Sequence, residues 1–426
     1  MTQPGDEITD RSGVSRNGPN SMELIWGMAS QGASSLTNLG LSLVAARVLG
    51  PEGLGIVFVG FSLYLVLVGV SRALLSDPLV AITTSVGEDE RRAAQRAALT
   101  ILTIVSVGAV AVVTFVGFLL PDPIGRGLIA FTPWLFPALL QDYWRVVLFQ
   151  QRRGRAGAVN DLSWVIVMAA TVPLAFQIGE IWAVVACWGL GALAGSVLGF
   201  LQTRLRFAER RSSARWWRAT VWPMGRWLGL ESLAYGLTIQ SLVFVLAFLL
   251  GPASVGGLRA VQSVYAPLSL VGAALALPAL PEITRRLRVS AHKARHYAIR
   301  LGAIAGVLTA TYMGLTALAG GELLVRIFGA GFSGYEELVW PVGTAQLLGA
   351  LLIAFPILLK AMQRARALLT ATVVGSVVTL AASTLFAIAW GILGAAWGIA
   401  LGSGFKGLLT TAFASRRPNA STTSAL

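Results

Sequence analysis

A chain of 426 residues that is 55% hydrophobic and only 12% charged, with a mean hydropathy of +0.72, cannot cover a water-exposed surface of its size. The composition excludes a soluble globular protein and points to an all-α polytopic membrane protein, because about 20 apolar residues cross the hydrocarbon core as a helix. The net charge of +14 reads as basic cytoplasmic loops beside anionic headgroups rather than as a nucleic-acid site. The one cysteine, Cys187, lies in an apolar run, so no disulfide framework exists and the residue reads as a small packing group.

Residues 1–22 are polar, Gly/Ser-rich and mixed in charge, and read as a disordered cytoplasmic tail. Apolar stretches follow at 23–46, 54–75, 97–120, 128–149, 158–178 and 181–202. A polar segment, 204–226, interrupts them; its "RWWRATVW" mixes arginine with tryptophan and predicts an interfacial amphipathic linker helix. Six more stretches occupy 227–249, 258–278, 299–319, 338–359, 368–390 and 394–414, and a second tail covers 415–426. The expectation is therefore about 12 transmembrane helices in two lobes, 23–203 and 227–414.

Orientation follows from lysine and arginine. Of the 33 basic residues, 26 fall in the tails and on one set of connections, including "RRAAQR" (91–96), "RRGR" (152–155) and "RRLRVSAHKAR" (285–295). Arg47, Arg126 and Arg326 fall on the other set. Both termini are accordingly expected in the cytoplasm. The outer connections are short, which argues against a large external catalytic domain.

The two halves repeat. Leu49-Gly50-Pro51 falls on Leu250-Gly251-Pro252 at an offset of 201, and Gly55 falls on Gly256. Leu79, Ile82 and Thr83 fall on Leu280, Ile283 and Thr284 at the same offset. The last span of each half carries a glycine ladder: Gly191, Gly195, Gly199 and Gly394, Gly398, Gly402. Four-residue spacing puts each ladder on one helix face, where backbones approach closely. Six spans per half bring both halves in and out on the same side, so a pseudo-two-fold axis along the membrane normal is expected, with a path between the lobes. Gly-Pro ends a helix, and "LGPxxxG" reads as an outer turn between spans one and two and again between spans seven and eight.

Several stretches resemble one family. "AARVLGPEGLG" (45–55), "PALPEITRRL" (278–287), "LLVRIFGAGFSGYEEL" (323–338) and "GILGAAWGIALGSG" (391–404) are similar to segments of polysaccharide and O-antigen flippases. These belong to the multidrug/oligosaccharidyl-lipid/polysaccharide (MOP) exporter superfamily. The resemblance covers nearly all of the chain after residue 22. It implies two six-helix lobes around a V-shaped cavity, alternating access, and a polyprenyl-diphosphate-linked oligosaccharide as cargo. Membrane lipids and polysaccharide-assembly proteins are the expected partners, with no cofactor and no nucleic acid. The lipid II flippases of the superfamily typically have two further spans, which this chain lacks.

Ionisable groups inside spans are costly and usually face a cavity or each other. Lys406 lies near the midplane, about 18 Å into the last span. Arg145, Arg259 and Arg72 lie in spans four, eight and two. A diphosphate needs several cationic donors, and the arginine fork suits its oxygens. Lys406, Arg145 and Arg259, with Arg72 as a weaker member, are therefore the expected lumen cations. The competing readings are that Arg72 and Arg259 snorkel to an interface, and that Asp142 and Arg145 satisfy each other across one helix turn.

Glu231, Asp161 and Asp142 are candidates to bind a coupling proton or Na⁺; helix-end positions are the plainer reading for the first two. Gln31, Asn38, Gln240 and Gln262 could contact sugar hydroxyls or act as interhelical glue. Trp134, Trp144, Trp164, Trp182, Trp340 and Trp390 are expected in interface belts, with Tyr143 and Trp144 as an alternative sugar platform. His292 and His296 are four apart but are read as residues of a basic loop. No Gly-rich phosphate loop with a Lys-Ser/Thr ending occurs, so ATP hydrolysis is not indicated. The leading function is a lipid-linked oligosaccharide flippase of the cell membrane; the alternative is a multidrug/cation exporter of the same fold, and a membrane saccharide transferase is the non-transport reading.

Overall fold

The structure, a computed structural model, describes residues 21–83, 86–362 and 364–415. The tail segments 1–20 and 416–426, and the side chain of Glu231, lie outside the described residues.

The described chain is built of helices joined by short connections. The first half holds α1 (Ser21–Ser71), a π-helical turn (Arg72–Ser76), α2 (Asp77–Thr83), α3 (Glu88–Leu119), α4 (Ile124–Gln150), α5 (Gly154–Ile178) and α6 (Ile181–Thr203). The second holds α7 (Arg210–Trp216), a second π turn (Trp217–Val221), α8 (Trp222–Leu250), α9 (Pro252–Val264), α10 (Ala266–Val289) and α11 (Ala291–Phe328). It ends with α12 (Val339–Leu351), α13 (Ala354–Ala361) and α14 (Ala365–Ser415).

Seven apolar stretches among the described residues are long enough to cross a membrane. Two of them reverse direction and count twice. Within α1, Gly50 adopts φ 70° and ψ −168°. Within α14, Gly391 adopts φ 63° and ψ −147°. At Gly251 the chain turns the same way as at Gly50, with φ 81° and ψ 160°. This region favours glycine, and the following Pro51 and Pro252 carry the φ that starts the next helix. The two "LGP" stretches are thus the same turn made twice, as the repeat predicts.

Within the first half, α4 packs on α3 and α6, and α5 on α6 and α1. Within the second, α11 packs on α10 and α12, and α14 on α8 and α12. The glycine ladders make the close approaches expected of them. A methyl group on Gly191 would meet the ring and backbone of Trp164 in α5, one on Gly195 the Gln141 side chain of α4, and one on Gly199 the Trp144 ring. In the second half, Gly394, Gly398 and Gly402 lie against Phe386, Ser383 and Thr379 of the preceding arm of α14.

The halves meet at the "LGP" turns. A Cβ on Gly55 would overlap the carbonyl oxygen of Pro252, and one on Gly256 would overlap that of Pro51. Buried apolar side chains form one cluster across this seam, including Ala45, Leu54 and Val57 on one side and Leu246, Val255 and Leu258 on the other. Two further clusters lie away from it. One gathers Leu75, Leu79, Tyr143 and Trp144; the other gathers Ala279, Ile283, Phe355 and Leu358. The lobes therefore share a core at the "LGP" end and keep separate cores at the end carrying the basic connections. The Arg47 guanidinium adds to the seal by donating to the Ile327 carbonyl at 2.7 Å and to the Arg326 carbonyl.

Three expectations change. The basic runs at 91–96 and 285–295 are not loops: the first lies in the opening turns of α3, and the second forms the end of α10 and the start of α11 with Ser290 between them. Charge does not break a helix that projects past the apolar layer, and Arg92 pairs with Glu88 at 2.9 Å along the α3 start. His292 and His296 accordingly stack on one helix face, ring centroids 4.9 Å apart. The segment 204–226 is not a separate interfacial helix either. Residues 204–209 run as a non-helical strap, and α7 continues through the π turn into α8. Trp216 and Trp217 pack, partly buried, against the Tyr143–Trp144 cluster, and the Trp217 indole donates to the Leu74 carbonyl at 3.3 Å.

Candidate functional site

Two neighbouring cavities collect most of the in-span polar residues. The larger, about 370 Å³, lies between the lobes. Its walls come from Phe58 and Leu65 of α1, Gln240 of α8, Arg259 and Gln262 of α9, and both arms of α14. The first arm of α14 contributes Ser376 and Thr379, the second Ser403 and Lys406. The smaller, about 200 Å³, lies inside the first lobe and is lined by Gln31, Asn38, Tyr64, Arg72, Asp142, Arg145 and Asp161, among others. Leu65 borders both.

The larger cavity is cationic. Arg259 and Lys406 line it and no described carboxylate does. Arg259 extends from the second half to the first: its guanidinium lies 4.3 Å from the Phe58 ring centroid, and Nε donates to Ser42 Oγ at 3.3 Å. Phe58 and Arg259 are themselves repeat mates at the offset of 201, one helical turn beyond Gly55 and Gly256. The cation thus sits on the pseudo-axis, with the quadrupole of an aromatic face as its partner. It does not snorkel. Lys406 is brought to the cavity by the close packing of the α14 arms, since a methyl group on Gly375 would press on the Lys406 stem.

The smaller cavity is balanced. Arg72 grips Asp142 with both Nε, at 2.9 Å, and Nη2. Arg145 Nη2 adds a third bond to the same carboxylate at 2.6 Å. Asp142 is nearly fully buried, and two guanidinium groups hold it. The expected Asp142–Arg145 pair is present, and Arg72, instead of reaching for an interface, joins it from the first residue of the π turn. A π turn re-aims a side chain that a regular helix would direct elsewhere. Asp161 is also buried but is held by neutral donors, Ser30 Oγ and Gln141 Nε2, the latter at 2.6 Å. Two arginines and two aspartates leave this cavity formally neutral.

Not every expected residue reaches a cavity. Tyr143 and Trp144 are fully buried in the basic-end core of the first lobe, with Tyr143 Oη donating to the Gln95 carbonyl at 2.5 Å. They cannot stack on a ligand there. Trp144 and Trp164 are buried rather than placed in a belt, whereas Trp182, Trp340 and Trp390 are exposed. Cys187 packs in the seam cluster. Sequence reasoning overlooked Ser42, Phe58, Ser376, Thr379 and Ser403. Two signals were available: Phe58 is the repeat mate of Arg259, and Ser403 precedes Lys406 by one helical turn.

No protein-family model matches the chain, and no curated protein matches it in sequence. Solved structures do match its fold. The lipid II flippase MurJ in an inward closed conformation superposes with a TM-score of 0.75 at 12% identity, over 93% of this chain and 88% of that one. A multidrug resistance MATE family transporter of the MOP superfamily, in its inward-facing conformation, gives 0.73 at 13% identity, over 89% and 93%. A MOP superfamily transporter from Pyrococcus furiosus Vc1, described as having a binding pocket of reverse polarity, gives 0.63 at 13% identity, over 92% and 94%. Likeness at this identity carries the fold: the chain is a multi-pass membrane protein with the two-lobe architecture of MOP superfamily transporters.

Proposed function

We propose that the chain is a flippase that moves a polyprenyl-diphosphate-linked oligosaccharide from the inner to the outer leaflet of the cell membrane, for cell-surface polysaccharide biosynthesis. The observation that carries this reading is the charge of the inter-lobe cavity. Arg259 and Lys406 face it, Gln240, Gln262 and three hydroxyl side chains surround them, and no described carboxylate lines it. Cationic donors in a site of low dielectric suit a diphosphate, and amides and hydroxyls suit a sugar.

In this reading Arg259 and Lys406 hold the diphosphate, and Gln240 and Gln262 meet the first sugar hydroxyls. Arg72 and Arg145 are a second cationic station, reached when their hold on Asp142 relaxes, with Gln31 and Asn38 beside them. Asp161 is the coupling carboxylate, since neutral donors hold it and an arriving proton or Na⁺ displaces no arginine. Both termini are cytoplasmic, so the sealed "LGP" end faces outward. Rocking of the lobes about the Gly55–Gly256 seam then exposes the cavity to one side at a time. An exporter of organic cations would want an available carboxylate in the inter-lobe cavity, which disfavours that alternative.

The test is mass spectrometry of lipid extracts from cells lacking the protein. One polyprenyl-diphosphate saccharide accumulates if the reading is right, and its mass identifies the cargo. Unchanged lipids together with new sensitivity to cationic drugs would replace it with the exporter reading.

A further inference from the structure

The strap that links the lobes borders a third cavity, away from both of those described. It has a volume of about 900 Å³ and opens at the basic end of the first lobe. Five arginines line it: Arg92 and Arg96 of α3, Arg153 between α4 and α5, and Arg204 and Arg206 of the strap. Asp89 is the one carboxylate among its lining residues. We infer that this groove is a binding site for the phosphate headgroup of an anionic phospholipid, with the acyl chains lying along the outer face of α6.

Three features carry the inference. First, the arginines are held in place rather than scattered. Arg96 Nε donates to the Arg206 carbonyl at 3.2 Å, and Arg153 Nη1 to the Gln202 carbonyl at 2.7 Å. Thr100 Oγ1 bonds both the amide and the carbonyl of Ala208, at 3.0 and 3.2 Å, and pins the strap to α3. Second, the strap alternates. Leu205 is buried in the first-lobe core, while Arg204 and Arg206 on either side are exposed. Arg204 ends α6 in the left-handed region at φ 50° and ψ 27°, and with Leu205 anchored in the core both flanking guanidinium groups are left on the exposed side of the strap. Third, the groove borders exposed apolar surface. Leu201, a lining residue, is 61% exposed, and Phe200 and Phe207 beside it are exposed as well. A cationic hollow next to apolar side chains at the end of spanning helices fits an amphiphile. A free anion would have no use for the apolar rim.

The test uses the purified full-length protein in nanodiscs of phosphatidylcholine, with or without phosphatidylglycerol. Phospholipid retained after extraction into detergent is counted by mass spectrometry. Wild-type protein should retain phosphatidylglycerol in preference to phosphatidylcholine, and added inorganic phosphate should not release it. The Arg153→Gln/Arg204→Gln/Arg206→Gln variant should lose retention about a hundredfold, at about fivefold for each basic residue beside an anionic lipid. An Arg288→Gln/Arg295→Gln/Arg300→Gln variant carries the same charge change on the other lobe and should retain it. Equal loss in both variants, no loss in the first, or release by inorganic phosphate would each overturn the assignment. A measurement on wild-type protein stands independently of how the variants fold. Hydrogen exchange over 201–207 should slow in the phosphatidylglycerol discs relative to phosphatidylcholine, and unchanged exchange would also overturn it.

Discussion

Gly55 and Gly256 lie in reciprocal contact: each presses its α-carbon side against the carbonyl of the other half's proline, Gly55 on Pro252 and Gly256 on Pro51. The contact maps onto itself when 201 is added to or subtracted from the numbers, so it marks the pseudo-two-fold axis. The two cavity walls descend from this point, with Phe58 and Arg259 one turn further on.

Any side chain at that contact pushes the lobes apart. Gly55→Ala should lower the thermal unfolding midpoint in detergent, because overpacking of a tight contact costs about 1–3 kcal/mol. Gly314→Ala is the control: its added methyl meets nothing within 4 Å, and alanine favours the helix. It should leave the midpoint unchanged or slightly raised. Equal midpoints for both variants would show that the seam yields without cost.

If Lys406 holds the diphosphate, Lys406→Gln should reduce transport by about ten- to a hundredfold, the worth of a charge-assisted hydrogen bond. Its abundance in the membrane should match wild type, and Lys406→Arg should restore part of the activity. Full transport by the glutamine variant, read from the lipid extracts, removes Lys406 from the site.

The Arg259–Phe58 contact predicts a measurable coupling. In a double-mutant cycle of Arg259→Gln and Phe58→Leu on thermal stability, the interaction should be about 0.5–2 kcal/mol. Additive effects would mean that ring and guanidinium are neighbours without mutual attraction.

The two buried aspartates should behave differently. Asp142→Asn strands Arg72 and Arg145 and should cost about 3 kcal/mol; breaking a buried pair costs about 3–5, and the 41% exposure of the Arg72 side chain screens part of it. Asp142→Asn/Arg145→Gln should recover some of that loss. Asp161→Asn keeps a hydrogen-bonding side chain between Ser30 and Gln141 and should unfold close to wild type, while losing ion-coupled transport. A destabilisation equal to that of Asp142→Asn would make Asp161 a structural residue.

At the basic end of the second lobe, Arg285 and Arg286 hold the Glu282 carboxyl down at about 2, from an ordinary 4.5. A lowered folded-state value means that the stabilisation is fully present above pH 4.5 and fades as pH falls toward 2. The difference in stability between wild type and Glu282→Gln should therefore be constant from neutral pH down to about pH 5 and shrink below it. A difference that changes between pH 6 and 8 would point to another titrating group.

Much of this was legible in one dimension. Apolar stretches of about twenty residues gave the spans, because a continuous apolar run of that length satisfies its own backbone in lipid as a helix. The "LGP" repeat gave the halves, because only glycine and proline make that turn cheaply. Costly in-span charges named Arg259 and Lys406 as cavity residues. Helix ends were less legible: charged runs such as 91–96 carry no stop signal, and a helix continues through them once clear of the apolar layer.

What the tertiary structure alone decided is which charges are already spent. Asp142 and Arg145, three apart, looked like a pair, but nothing in the chain announced that Arg72, seventy residues earlier, would close on the same carboxylate. Likewise the strap 204–209 reads as one more basic stretch until Leu205 is buried and its arginines meet Arg96 and Arg153 across a groove. Spans, turns and the cost of a charge in lipid are local or compositional, so the sequence states them directly. Partnership between residues distant in the chain depends on how helices rotate and pack, and that is set by the summed contacts of the whole fold.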